Sequence, residues 1–249
     1  RALELDMGVF NISPIDKGGR LYQPSSRVAR AIGPDLTPIA FANLHSWMTA
    51  GMHTVSVGFA RPEDLTETLE AVNLFMNKEK TLPILEGVIR RLNKVSEDHL
   101  GKEWHERGLL NIPSALERES NGIGLGHTLW CYNMMHAYGM YDAAKARYTS
   151  LVSEGKKWKK DKPWEENMKA IGAGNAMRAV DDSIDLNKVL NGHFDPSMAA
   201  QRIKEVHSIL GPNSKELTME QRLEKGWDEA YDLRPWHEYP DTERLSMPG

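Results

Sequence analysis

Cysteine is nearly absent from this chain of 249 residues, in which Cys131 is the single one. One cysteine forms no disulfide within the chain and holds no iron–sulfur cluster, which needs several thiolates. Because stable disulfides belong to oxidising compartments, we expect a protein of a reducing compartment, the cytoplasm. The nine histidines make no pair at metal-ligand spacing, so the sequence predicts no metal site.

Long apolar runs and an excess of basic residues are also missing. No stretch of about 18 apolar residues occurs, which argues against a membrane-spanning helix. The formal net charge of -4 offers no basic surface for nucleic acid. Hydrophobic residues at 40% and charged residues at 27% are typical of a globular protein. We therefore expect neither a membrane nor a nucleic acid as a partner.

The chain has no initiator methionine, since it begins with Arg1, and no signal-peptide pattern follows. Residues 1–6 are typical of the end of a helix that is already under way. We expect the chain to be part of a longer polypeptide.

Two short apolar segments predict β-strands. Residues 8–12 end at Ser13-Pro14, and residues 53–57 end at Gly58. A helix is expected between them and another after the second strand, so the order strand, helix, strand predicts parallel pairing.

The remaining elements are predicted to be helical. Their signals are a Thr or Asp N-cap, a Pro in the first turn, and apolar residues on one face. Helices are expected after Thr37-Pro38, from Pro62, over residues 83–106, 128–137 and 140–153, from Asp195-Pro196 to Leu210, and over residues 218–230. The segment from residue 232 onward is rich in proline and charge and predicts an irregular tail.

Two stretches resemble the aldo/keto reductase family. Residues 8–21 are similar to that family's seventh barrel strand and the loop after it, and residues 55–68 to its eighth strand and final helix. Pro62 and Glu67 keep the family's spacing after Gly58. The region from about 83 to 153 is similar to the C-terminal extension of a bacterial branch of the family. Many relatives carry an iron–sulfur segment there, and this chain lacks the cysteines for it.

The resemblance implies an α/β fold: the C-terminal part of a (β/α)8 TIM barrel, with two parallel strands, followed by a mostly α-helical extension. The domains are expected at residues 1–80, 81–212 and 213–249. The N-terminal barrel portion would come from the same or another chain.

The resemblance also implies a cofactor site, because barrels of this type commonly bind phosphate after strands seven and eight. Ser13 and nearby backbone amides would donate to a pyrophosphate, Lys17 would supply a point charge, and Arg61 would contact a 2′-phosphate, which favours NADP over NAD. Glu67 would accept from the adenine amino group. The full set of expected contacts is Ser13, Ile15, Lys17, Gly18, Gly58, Phe59, Ala60, Arg61, Asp64, Glu67 and Thr68.

Each of these residues also fits a purely structural role. Ser13 would end a strand, Lys17 and Arg61 would be solvated charges, and Glu67 would pair with a nearby basic residue. Two positions differ from the family's pattern, which often has a basic or hydroxyl residue at Ala60 and usually Asn at Thr68. Both differences weaken the expectation of tight NADP binding.

The family transfers hydride between a nicotinamide and a carbonyl or alcohol, with a Tyr acid supported by Lys, Asp and His on its first four strands. This chain has none of those strands, so no catalytic residue is assigned. We expect it to supply the nucleotide-phosphate-binding part of an NAD(P)H-dependent oxidoreductase that acts on a small carbonyl or alcohol. The alternative is a catalytically silent, barrel-derived subunit for assembly or protein interaction, and an oligomer is possible in either case.

Overall fold

The computed structural model describes residues 1–15, 20–59, 61–171 and 177–227. They contain two β-strands, β1 (Phe10–Ile12) and β2 (Thr54–Ser56), and eleven α-helices. The helices are α1 (Ser26–Ile32), α2 (Pro38–Met48), α3 (Pro62–Phe75), α4 (Lys78–Leu100), α5 (Lys102–Arg107), α6 (Leu125–His136), α7 (Tyr141–Gly155), α8 (Trp164–Ile171), α9 (Leu186–Val189), α10 (Pro196–Leu210) and α11 (Met219–Glu224). The expected irregular tail from residue 232 lies outside the described residues.

The two strands pair in parallel, with Phe10 opposite Thr54 and Ile12 opposite Ser56, which confirms the pairing predicted from the sequence. Helix α2 contacts one face of the sheet, where the Asn11 side-chain amide donates to the Ser46 hydroxyl at 2.9 Å. On the other face, the side chains of Phe10 and Ile12 are 74% and 70% exposed.

The expectation that the fold is the C-terminal part of a TIM barrel is wrong. The described residues form a mainly helical fold, with three residues in each of only two strands. The physical reason is the sequence after α3, where apolar residues recur at helical spacing and no further segment shows the two-residue period of a strand. A barrel requires its strands to close on one another, whereas the sheet formed by the described residues has one pairing of two strands.

Capping residues account for several helix starts. The Thr37 hydroxyl accepts from the Ala40 N–H at 3.1 Å before α2, and the Asp195 carboxylate accepts from the Met198 N–H at 2.9 Å before α10. The helix predicted over residues 83–106 is instead divided into α4 and α5 at Gly101, which has a φ of 83°.

The chain divides into two compact units, whose described residues are Arg1–Val95 and Ser96–Trp227. The sequence indicated divisions after residues 80 and 212. The first unit buries Ile39 and Leu44 of α2 together with Ala71 of α3. The second unit contains two clusters of buried apolar residues, one around α6 and α10 and the other around α7.

Candidate functional site

The ends of the two strands lie side by side. The Ser13 N–H donates to the Ser56 carbonyl at 3.1 Å, immediately beyond the paired residues. Because the pairing is parallel, Ser13 and Gly58 leave the sheet at the same edge. Ser13 has a φ of 59°, in the left-handed region that residues other than glycine seldom occupy. Such a conformation persists where the surroundings impose it, and it is found often at binding sites.

Helix α3 begins directly after this edge. Arg61 precedes the helix, and Pro62 occupies the first turn, where a missing N–H costs nothing. The Asp64 carboxylate accepts from the Arg61 backbone N–H at 3.1 Å, which ties the start of the helix to its first turn. The remaining amides of this turn carry the partial positive charge of a helix N-terminus.

The Arg61 guanidinium is held by neighbouring side chains, and 19% of the Arg61 side chain is exposed. Its Nε donates to Asp64 at 3.0 Å, and its Nη2 lies 3.0 Å from Asp64 and 3.5 Å from Glu67. The guanidinium also lies over the Tyr22 ring, 4.9 Å from its centre. Its Nη1 has no partner among the described residues. Arg61 is therefore oriented by its neighbours, and the ion pair to Glu67 matches one of the two roles expected for that glutamate.

Glu67 links the starts of two helices. It receives a side-chain hydrogen bond from Thr37, the N-cap of α2, and it lies next to Arg61. Burial raises the pKa of the Glu67 carboxyl, and this effect outweighs the opposing effects of Thr37 and Arg61. The carboxylate of Glu67 is consequently less stable here than it is in water.

Thr68 is engaged within the fold. Its hydroxyl donates to the Asp64 carbonyl at 2.8 Å and accepts from the Asn43 side-chain amide at 3.1 Å. Both Thr68 and Asn43 are buried, so these bonds join α2 to α3 rather than pointing to solvent. The hydrogen bond from Asn43 gives the buried Thr68 hydroxyl a partner, which explains why a hydroxyl is tolerated in the interior at position 68.

The remaining predicted residues divide into three groups. Ile15 is fully buried and belongs to the core, whereas Gly58 and Phe59 are exposed beside the strand ends. Lys17, Gly18 and Ala60 lie outside the described residues. Ser13 and Gly58 therefore leave the sheet at one edge, and Phe59, Arg61, Asp64 and Glu67 follow Gly58 along the chain at the start of α3.

This edge offers a hydroxyl, exposed glycine backbone, helix N-terminal amides and one guanidinium nitrogen, which are donors suited to a phosphate. The carboxylates of Asp64 and Glu67, which lie beside Arg61, would repel an anion bound there. Within the described parts of the chain, no cluster of His, Cys, Asp and Glu is placed to hold a metal ion. Burial raises the pKa of the Cys131 thiol to about 12, which makes it a packing residue and not a nucleophile.

The sequence did not predict a groove that lies in the second unit. It lies between the end of α7, residues 178–187 and one face of α10, and it has a volume of about 730 Å³. Lys204, His207 and Ser208 of α10 line it. Their spacing places them on one helix face, which is a signal in the sequence, but the opposing segment is recognisable only in the folded chain.

None of the helices in the described part of the chain combines the length and the apolar character needed to cross a bilayer. Comparison of the sequence with models of known families, with curated proteins and with solved structures gave no match.

Proposed function

We propose that this chain binds the phosphate groups of NADP, or of NAD, as the nucleotide-binding part of an oxidoreductase that transfers hydride between the cofactor and a small carbonyl or alcohol. The observation that carries the proposal is the hydrogen bond from Ser13 to Ser56, which joins two parallel strand ends, the second of which leads into α3. Ligands of α/β units bind outside the carboxyl ends of parallel strands, where helix N-termini point at them.

The donors at this edge fit a phosphate. Arg61 is anchored through Nε and Nη2, which leaves Nη1 for an oxygen of the 2′-phosphate. Ser13 supplies a hydroxyl, and Gly58 allows backbone to approach closely. NADP(H) would supply the hydride, and the residues that donate the proton and position the substrate would come from another part of the enzyme, in the same polypeptide or in a partner.

The carboxylates set the expected strength of binding. Asp64 is fully buried and Glu67 largely so, and both lie beside the guanidinium that would meet the phosphate. They reduce the positive charge that an anion would experience. We therefore expect the isolated chain to bind weakly, in the millimolar range, and to prefer NADPH to NADH because only NADPH carries the 2′-phosphate.

Phosphorus NMR of NADPH titrated with the chain tests this function, because it resolves the 2′-phosphate from the pyrophosphate. We expect the 2′-phosphate resonance to shift saturably, and the shift to be lost in Arg61→Gln. Arg118→Gln, which removes an exposed guanidinium from the second unit, is the matched control and should bind as the parent does. Absence of a saturable shift, or equal binding by Arg61→Gln, contradicts the proposal.

A reducing compartment is part of the same proposal. Cys131 is buried and unpaired, and a reducing cytoplasm, where NADPH is plentiful, suits both the thiol and the cofactor.

A second candidate function is assembly, and a specific observation favours it. Val9 and Ser13 direct their backbone groups to β2, so those of Phe10 and Ile12 point to the other edge of β1, where they have no strand partner among the described residues. The exposed side chains of Phe10 and Ile12 make this edge apolar as well. An unpaired strand edge of this kind can form hydrogen bonds with a strand of another chain.

Sedimentation velocity over a range of concentrations tests self-assembly through this edge. We expect the parent chain to associate and the double variant Phe10→Lys, Ile12→Lys to remain monomeric, because charged edge residues block strand pairing. Leu110→Lys, at a residue that is 57% exposed in the second unit, should associate as the parent does. A parent chain that stays monomeric at every concentration contradicts the assembly role.

A further inference from the structure

The groove between α7, α10 and residues 178–187 has an apolar floor and a charged rim. Val152, Val180 and Leu186 contribute apolar surface, and Lys156 and Lys204 lie at the margin. Its volume of about 730 Å³ is within the range of small-molecule sites.

A buried tyrosine fixes the histidine in this groove. Tyr148 is fully buried, and its hydroxyl lies 2.8 Å from Nδ1 of His207. The same hydroxyl receives a hydrogen bond from the Val180 backbone, so its own proton is available for His207. Where this proton is donated to Nδ1, the ring N–H of His207 lies on Nε2. Nε2 has no hydrogen-bond partner among the described residues, and the ring lines the groove.

The acidic residues of the groove are mostly engaged within the fold. Asp181 pairs with Arg178, and the Asp185 carboxylate accepts from two amides at the start of α9. Burial acts to raise the pKa of Asp181, but the bonds from Ser183 and Arg178 outweigh it and lower the pKa.

The two lysines of the groove remain available, whereas Arg178 is engaged by Asp181. Neither Lys156 nor Lys204 forms an ion pair with any described residue, and Asp182 is the one acidic side chain of the lining without a partner in the same part of the chain. The groove thus has two ammonium groups and the N–H of His207 that can meet an anion, and one carboxylate, that of Asp182, that would repel it.

We propose that this groove binds a small organic anion with an apolar body: the carboxylate accepts from Nε2 of His207 and faces Lys204, and the body covers Val180 and Leu186. The Tyr148 hydroxyl acts as a positioning group that holds the tautomer of His207. The site lies wholly within the second unit and is independent of the nucleotide site proposed for the first.

Three probes that share one body and differ in charge test this site: naphthoate, naphthamide and naphthylmethylammonium. Each is titrated into the full chain while the imidazole resonances of His207 are followed by proton–nitrogen NMR. We expect naphthoate to shift the Nε2 signal saturably and to bind about tenfold more tightly than naphthamide, because a hydrogen bond to a charged acceptor is stronger than one to a neutral acceptor. Tighter binding of naphthylmethylammonium, or no saturable shift with any probe, overturns the proposal.

Three variants separate binding at this site from general effects on the protein. Lys204→Ala changes an exposed side chain, so it should fold normally and weaken naphthoate binding about tenfold. Lys102→Ala removes a lysine that lies outside the groove and should leave binding unchanged. Tyr148→Phe should alter the nitrogen shifts of His207 before any ligand is added, because the Nδ1 partner is lost. Equal binding by the two lysine variants, or unaltered shifts in folded Tyr148→Phe, contradicts the assignment.

Discussion

At the scale of single residues, the buried charges of this protein serve several partners at once. Arg178 is 2% exposed, and its Nε donates to the Asn121 carbonyl at 2.8 Å. Its two terminal nitrogens bond to Asp181 and to the Ser183 hydroxyl, and the guanidinium lies over the Trp158 ring. A planar fork with five N–H groups can make these contacts together, whereas a single ammonium cannot.

Arg178→Lys should therefore destabilise the protein although it preserves the charge. We expect a loss of about 2 kcal/mol in the free energy of unfolding, since the buried side chain of Arg178 makes three hydrogen bonds that one ammonium cannot all replace. Urea unfolding followed by circular dichroism measures it. The control is Arg118→Lys, at a side chain that is 70% exposed, where a change below about 0.5 kcal/mol is expected. Equal effects of the two substitutions would show that the contacts of Arg178 add nothing.

Glu67 gives a prediction about pH. Burial raises its pKa above the ordinary 4.5, so the native state holds this proton more tightly than the unfolded state does. The contribution of Glu67 to stability must then fall as pH rises from about 4.5 through its raised native pKa.

The comparison with Glu67→Gln isolates that proton, because glutamine does not titrate. We expect the unfolding free energy of the parent minus that of the variant to decrease between about pH 4.5 and neutral pH. Glu63→Gln, on the exposed side of the same helix, corrects for the change in net charge. A difference that grows with pH would mean that the ion pair to Arg61 dominates over burial.

At the scale of elements, local signals located many of the helices. Thr37, Pro62 and Asp195 sit at helix starts where the sequence placed them, and α6 and α7 separate near Gly139 as expected. Helices α1, α8 and α9 were missed, because each has eight residues or fewer and too few turns to show a periodic pattern.

Part of the candidate site was predictable from the order of the two strands. Ser13 and Gly58 end neighbouring strands, so parallel pairing alone brings them together. The engagement of Arg61 by Asp64 and Tyr22 depends on side-chain geometry that spacing does not encode. The groove of the second unit was not predictable, because Tyr148 and His207 meet across 59 residues of chain.

Gly101 offers a test at this scale. It has a φ of 83°, and a methyl group added there would meet no atom within 4 Å. Gly101→Ala should therefore cost about 1 kcal/mol in unfolding free energy from backbone conformation alone. Gly192 has equal space and lies outside the left-handed region, so Gly192→Ala should be neutral or slightly stabilising. Urea unfolding of both variants checks this, and equal costs would point to lost space instead of conformation.

At the scale of the whole molecule, apolar exposure is uneven. Of the sixteen large apolar side chains that are exposed in the described residues, eleven lie between Leu3 and Leu82. They include both ends of β1 and a stripe on α3 formed by Leu65, Leu69 and Val72. The described residues of the first unit therefore leave more large apolar side chains exposed than those of the second, which suits a unit that offers surface to a ligand or to another polypeptide.

This difference predicts a gradient of local stability that hydrogen exchange can measure. A sheet of two three-residue strands, open on one face, is marginal, whereas α6 and α10 enclose a buried cluster. In the chain alone, peptides covering β1 and β2 should exchange at least about a hundredfold faster than those covering α6 and α10. Under conditions where the chain associates, protection of β1 should rise if a strand adds to its edge, and α6 supplies the internal reference. Strand amides as slow as those of α6 in the dilute chain would mean that the open sheet needs no partner, and the argument for assembly through β1 would fail.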